Sequence, residues 1–134
     1  MKKTTHLLFA AFFALFVAAP ALAEEDYAMQ AWLNAGFNAY DAAGWTLQGF
    51  EVDTAKPWKD AGFQADTAKA WKKVKQTPEQ AQEWEKAGVK NGFHGRKLIK
   101  AGVTLDEFKK WHASGVTNYK EIIALHKEGK VPGQ

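Results

Sequence analysis

Large apolar residues recur along this chain at a nearly constant interval, separated by mostly polar stretches. Successive members of the series stand 13 residues apart, except for two steps of 14. The series consists of Trp32, Trp45, Trp58, Trp71, Trp84, Leu98, Trp111 and Leu125. A Gly stands four residues after every member except Trp71, and Phe or Val follows most of these glycines. A fixed self-similar period indicates a repeat protein.

Each unit of the repeat predicts a short helix that ends at its Gly. A Gly just beyond a helix adopts the left-handed conformation with little strain, and the residue after it packs against the helix residue five positions earlier. Trp45 and Phe50 have this spacing. Residues suited to N-capping stand where the following helices should begin, at Asn38, Thr77, Thr104 and Thr117. We therefore predict an all-α fold, a tandem array of about eight short helices with a W-x-x-A-G-[FV] repeat.

The same spacing predicts the core. Ala stands three residues before the Trp in four units, on the same face of the predicted helix, at Ala42, Ala55, Ala68 and Ala81. Isolated helices shorter than about 12–15 residues are marginal in water, so stability must come from stacking of neighbouring units. We expect five tryptophans to be largely buried, namely Trp32, Trp45, Trp71, Trp84 and Trp111.

Two units depart from the pattern in ways that change the predicted helices. Pro57 would interrupt a helix that began at Glu51, so we expect this helix to start late and to hold Trp58 more loosely. The unit of Trp71 has no Gly four residues later. Its helix is expected to continue towards Gln76.

A third departure lies at residues 90–97. Gly92 and Gly95 fall inside an expected helix, and each weakens a helix by about 1 kcal/mol. We predict a loop or broken helix here, a joint between units 24–89 and 98–134 of one repeat domain spanning 24–134.

The N-terminal segment has the organisation of a secretory signal peptide. Lys2 and Lys3 precede an apolar run over residues 7–19, which is short for a membrane span, and an Ala-x-Ala site ends at Ala23. We expect cleavage after Ala23, which would leave Glu24 at the start of the first helix, and a periplasmic or secreted protein with no stable membrane anchor. The alternative is an uncleaved anchor. The chain has no Cys, so neither a lipoprotein anchor nor disulfides are expected.

Removal of residues 1–23 also changes the charge. The 18 basic residues include Lys2 and Lys3, so the mature chain would carry 16 against 15 acidic residues, a formal charge of +1. This balance argues against a nucleic-acid-binding protein, which would show a strong basic excess.

No arrangement of residues predicts catalysis or a cofactor. The Asn91–Gly95 stretch lacks the strand and the Gly-Lys-Ser/Thr element of a phosphate-binding loop. Three histidines, His94, His112 and His126, form a weak candidate metal site because they lack a ligand-like spacing. The tryptophans of the repeat are expected to be core residues rather than sugar platforms, since Leu98 and Leu125 occupy the same position.

The irregular segment is the candidate contact surface, since functional residues concentrate in loops. The alternative is that the segment is only a joint between the two groups of units. The segment combines basic charge with an apolar anchor, and its candidate binding residues are Lys90, Phe93, His94, Arg96, Lys97 and Lys100. The sequence thus predicts a non-catalytic binding or scaffolding protein whose partner is another envelope protein. Two alternatives remain open: a cell-wall or glycan binder that uses exposed aromatics, and a small metal or ligand carrier. The aromatic residues concerned are Tyr27, Tyr40, Phe93 and Tyr119.

Overall fold

The structure is a computed structural model that describes residues 18–133, with side chains from residue 24 onward. Every regular element in this part of the chain is a helix, which confirms the predicted all-α tandem array. The helices are α1 (Ala18–Asn34), α2 (Ala39–Leu47), α3 (Val52–Asp60), α4 (Ala65–Lys72), α5 (Pro78–Lys86), α6 (Gly92–Lys100), α7 (Leu105–Ala113) and α8 (Tyr119–Lys127). None of these helices is both long and apolar enough to cross a membrane.

The helices end as the repeat predicts. In all eight units the N–H five residues after the large apolar residue donates to its carbonyl oxygen, for example from Phe50 to Trp45 at 3.1 Å and from Lys130 to Leu125 at 3.0 Å. Trp45 and Phe50 also pack edge to face, with 4.9 Å between ring centroids. The Schellman arrangement is therefore the common stop signal of the array.

The unit of Trp71 uses the same stop without a Gly. Lys75 takes the left-handed conformation at φ 59°. Its N–H donates to the carbonyl of Lys72 at 2.9 Å, and the N–H of Gln76 donates to that of Trp71 at 3.2 Å. The predicted continuation of this helix to Gln76 is wrong, because the stop hydrogen bonds outweigh the strain at Lys75.

The expected late start of α3 is also wrong. The helix begins at Val52, where Glu51 and Thr54 form a reciprocal cap, and Pro57 lies inside it. A proline in this place leaves one carbonyl without its helical donor, and the cap and the packing retain the helix. Trp58 is only 5% exposed, so it is held as firmly as the other tryptophans of the repeat.

The described part of α1 includes residues on both sides of the expected cleavage site. It extends from Ala18 to Asn34, so in the uncleaved chain Glu24 lies inside a helix. Residues 1–17 of the expected signal peptide lie outside the described residues, and the expected cleavage site at Ala23 falls within α1. Cleavage there stays a prediction.

N-terminal caps follow the sequence where the unit has its usual length. Thr77 caps α5 with a complete capping box, and Thr104 accepts a hydrogen bond from the N–H of Glu107 at 3.1 Å. The Glu107 carboxylate does not complete a capping box with Thr104. It accepts a hydrogen bond from Nε1 of Trp111 and lies 2.9 Å from Nδ1 of His126. Asn118, not the expected Thr117, caps α8. The shift of one residue reflects the longer unit that precedes α8.

The core confirms the predicted pattern. The five tryptophans expected to be buried are each exposed by 7% or less, and the four alanines by 1% or less. These small and large residues share one face of each helix, so burial of that face stabilises units that would not fold alone.

The chain divides into two compact units, with the boundary inside α2 between Ala42 and Ala43. In the first unit, Trp32 packs edge to face on Phe37, with 4.8 Å between centroids. In the second unit, helices also pack against their second neighbours, since α6 contacts both α4 and α8. Trp84 of α5 and Phe108 of α7 continue this arrangement at 5.9 Å.

Helix α6 runs unbroken from Gly92 to Lys100, so the predicted loop or broken helix at residues 90–97 is wrong. Trp71 of α4 is fully buried, and its ring occupies the space that a Cβ on Gly95 would need. A Cβ on Gly92 would lie 2.7 Å from the carbonyl oxygen of Thr67. Close packing of α4 on α6 therefore explains both glycines and outweighs their low helix propensity.

Candidate functional site

The two longer units of the repeat lead into α6 and α8. Asn91 and Asn118 cap these helices seven residues after Trp84 and Trp111, whereas Thr77 follows Trp71 by six. The extra residue of each unit thus lies in the connection before the helix. Both connections line the same cleft.

One position in the first turns of α6 and α8 also differs in charge from the same position in neighbouring helices. Five residues before the large apolar residue, four helices carry an acid, which stabilises a helix N-terminus: Asp53, Asp66, Glu79 and Asp106. In α6 this position is Phe93, and its first turn has no acid. In α8 the position is Lys120, and the acid of its first turn is Glu121. Both helices thus lack a carboxylate at this position of the repeat.

A cleft of about 330 Å³ lies beside these helix starts. Its apolar lining comes from Val89, Leu98 and Phe108, which are all buried. Lys90 and Lys120 supply the exposed charged lining. The remaining lining residues are Gly88, His94, Thr117, Asn118 and Tyr119.

His94 and Tyr119 form one wall of this cleft. Their rings stack with centroids 4.1 Å apart and an interplanar angle of 22°. Nζ of Lys97 lies 3.4 Å from the Tyr119 hydroxyl and 5.5 Å from the centre of its ring. Desolvation lowers the pKa of His94, and the neighbouring charges of Lys97, Lys90 and Lys120 lower it further. His94 is therefore predominantly neutral near pH 7.

A second groove, of about 450 Å³, adjoins the first cleft at Tyr119 and Lys120. Its other lining residues are Lys97, Lys100, Ala101, Ile123 and Lys127. No carboxylate lines either depression. We define the lysine surface as the lysines of both depressions, Lys90, Lys97, Lys100, Lys120 and Lys127.

The basic character is local. A third groove, of about 390 Å³, is lined by Glu83 and by no lysine or arginine. The other lining residues of that groove are Gln76, Gln80, Trp84, Ile99, Val103, Thr104 and Leu105. This third groove thus lacks the positive charge that lines the two depressions beside α6 and α8.

Four of the six candidate binding residues from the sequence line the two depressions, namely Lys90, His94, Lys97 and Lys100. Phe93 is 47% exposed on α6, and Arg96 is half-buried; neither lines them. Lys120 and Lys127 were not among the candidates, because α8 lies more than 20 residues further along the chain. The replacement of an acid by Lys120 is the signal that could have revealed them.

The three histidines have separate neighbours. His94 stacks on Tyr119, the ring of His112 packs against the backbone at Gly88, and Nδ1 of His126 lies 2.9 Å from the Glu107 carboxylate. In the range 18–133, no group of three or more His, Asp or Glu side chains is placed to hold a metal ion. This arrangement gives the metal-carrier alternative no support.

The aromatic residues of the glycan alternative belong to four different helices, α1, α2, α6 and α8. Tyr27 on α1 and Tyr40 on α2 are 78% and 88% exposed. The Tyr119 ring stacks on His94 and lies beside Nζ of Lys97.

No protein-family model, curated protein or solved structure matches this chain. The chemistry of the lysine surface therefore carries the functional argument.

Proposed function

We propose that this protein is an exported, non-catalytic helical-repeat binding protein whose lysine surface holds an acidic segment of another envelope protein. The observation that carries the proposal is the concentration of five lysines around two adjoining depressions that no carboxylate lines. Repeat proteins present extended binding surfaces made by successive units, and α6 and α8 form such a surface.

Charge complementarity favours an acidic partner over a general polyanion. The mature chain would carry a formal charge of only +1, so the lysine surface is a local feature rather than part of a basic protein. A complementary patch of this kind steers a partner and selects for the matching charge pattern. Lysines on one face repel one another, so the approach of carboxylates lowers the electrostatic energy of that face.

The chemistry around His94 supports binding rather than catalysis. A general base is usually oriented by a further polar group and acts on a bound nucleophile. The His94 ring faces Tyr119, and neither depression supplies a carboxylate to orient it. The N-terminal sequence, with its n-region, apolar run and Ala-x-Ala site, supports export to the periplasm or beyond.

Charge reversal on the lysine surface tests this proposal. The double variant Lys97→Glu/Lys120→Glu is compared with Lys73→Glu/Lys109→Glu, which changes the same total charge at exposed lysines outside both depressions. Each protein is used to capture partners from an envelope extract, with quantification by mass spectrometry. A partner held by the parent and the control, lost by the first variant, and released between about 0.05 and 0.5 M salt supports the proposal. Equal capture by both variants contradicts it.

A further inference from the structure

The larger groove of the lysine surface combines charge with an apolar floor. Ala101, Tyr119 and Ile123 line it and are each partly exposed. The fully buried Leu98 and Ile122 belong to the same two helices and fix them to the core. Four lysines line the same groove: Lys97, Lys100, Lys120 and Lys127.

Helical spacing explains why these residues converge. Lys97, Lys100 and Ala101 stand at positions i, i+3 and i+4 of α6, and therefore share one side of that helix. Tyr119, Ile123 and Lys127 have the i, i+4, i+8 spacing at the start, middle and end of α8. Because α6 packs on α8, the two sides meet along the groove.

We propose that the segment held here is an acidic peptide in which an apolar side chain is flanked by carboxylates. This inference rests on the proposed function and specifies the chemistry of its ligand. The apolar side chain contacts the floor of Ala101, Tyr119 and Ile123, and the flanking carboxylates pair with the lysines that line the groove. The methylene stems of the lysines extend the apolar walls while their charged ends stay in water.

The smaller cleft gives the same peptide a second point of attachment. It adjoins the groove at Tyr119 and Lys120, so a chain that leaves the groove passes directly beside His94 and Lys90. A further carboxylate of the peptide fits this cleft, where the N–H groups at the start of α8 add partial positive charge.

The adjoining arrangement of the two depressions favours a peptide over an anionic lipid surface. The groove and the cleft share Tyr119 and Lys120 as lining residues, so successive residues of one extended chain can occupy both.

A matched pair of labelled peptides tests the inference with the purified protein. Both carry the acidic frame Asp-Glu-x-Glu-Asp, with Phe at x in one and Gly in the other, and binding is measured by fluorescence anisotropy. We expect the Phe peptide to bind at least about tenfold more tightly, because burial of a Phe side chain contributes on this order. Ile123→Asn should reduce that preference, and Lys73→Glu/Lys109→Glu should leave it unchanged.

The failures of the two proposals are distinguishable. Equal binding of both peptides, with loss of both in Lys97→Glu/Lys120→Glu, would overturn the inference and leave the proposed function standing. If neither peptide bound, but vesicles of anionic phospholipid did so through the same lysines, a membrane surface would replace both proposals. Absence of binding to peptides and vesicles alike would also overturn the inference.

Discussion

At the scale of single residues, the backbone at the fourth position after each Trp or Leu determines where a helix stops. Within residues 18–133, Lys75 is the one residue other than Gly that has a positive φ. A residue with a Cβ is strained in this conformation by roughly 1–2 kcal/mol. The repeat therefore imposes its stop on Lys75, although this residue does not favour it.

Replacing Lys75 with Gly should relieve this strain. We expect Lys75→Gly to raise the free energy of unfolding by about 0.5–1 kcal/mol, because the gain exceeds the added entropy of Gly in the unfolded chain. Lys73→Gly is the matched control, since Lys73 has a right-handed φ of −61° and should gain nothing. Urea unfolding monitored by Trp fluorescence measures both, and a loss of stability in Lys75→Gly would contradict the assignment.

A second prediction at this scale concerns pH and His94. The folded pKa of His94 lies below its ordinary value of 6.5, so between these two values the unfolded chain binds more protons than the folded chain. The contribution of His94 to stability is therefore complete above about pH 7 and is lost as pH falls through 6.5 towards the folded pKa. The difference in unfolding free energy between the parent and His94→Gln should show this window. An NMR titration should place the His94 pKa below 6.5 and show a rise in Lys97→Gln; an unchanged pKa in that variant would contradict the contribution of Lys97.

Single-residue features divide into those that the sequence could predict and those that it could not. Burial of the tryptophans followed from their period, since one face of a short helix must be covered. The cap of α8 was predicted one residue too early, at Thr117 instead of Asn118. A step of 14 residues in the repeat does not reveal where the extra residue lies. The conformation of Lys75 depends on stop hydrogen bonds that local propensity does not report.

At the scale of the helices, α6 shows how a tertiary contact can reverse a local preference. Gly92 and Gly95 weaken an isolated helix, so the sequence predicted an interruption. Both glycines are explained by contact with Trp71. Trp71 lies more than 20 residues earlier in the chain, and the sequence does not indicate that it packs on α6. The glycines are thus explained by the packing of α4 on α6, and the proposed contact surface involves other residues of α6.

Adding one methyl group to α6 tests this packing. Gly95→Ala improves helix propensity by about 1 kcal/mol but forces Cβ into the Trp71 ring, so we expect a net loss of about 1–3 kcal/mol. Gly44→Ala is the matched control, because nothing lies within 4 Å of a Cβ there and the helix should gain stability. Chemical denaturation gives both values.

A double-mutant cycle separates this contact from general damage. Trp71→Phe removes the outer ring atoms that a Cβ on Gly95 would meet, so Gly95→Ala should be less destabilising in that background. Equal losses in the two backgrounds would mean that Trp71 does not require the glycine.

At the scale of the whole molecule, two departures from the repeat occur at the same pair of helices. Both longer units lead into α6 and α8, and both helices lack an acid at the position five residues before the large apolar residue. Four of the five lysines of the lysine surface lie on these two helices. The sequence placed part of this surface on the α6 segment. It could not assign the residues of α8 to the same site, because that requires knowing that α6 packs on α8.

A further prediction about the whole chain concerns export, because the protein must leave the cytoplasm before it can meet an envelope partner. Intact-mass measurement of the protein produced in its host should find Glu24 at the N-terminus, since the Ala-x-Ala site ends at Ala23. Recovery of the chain with Met1 from a membrane fraction would replace the secreted form with an anchored one.

We propose that partners bind the lysine surface through their carboxylates, and zero-length cross-linking measures such contacts directly. A carbodiimide joins a carboxylate to a lysine amine only where the two are in contact, and peptide mapping then identifies each lysine. Cross-links to a captured partner should concentrate at Lys90, Lys97, Lys100, Lys120 and Lys127, and about 0.5 M salt should remove them. Cross-links that are instead distributed over Lys56, Lys73 and Lys109, or that persist unchanged in Lys97→Glu/Lys120→Glu, would contradict it.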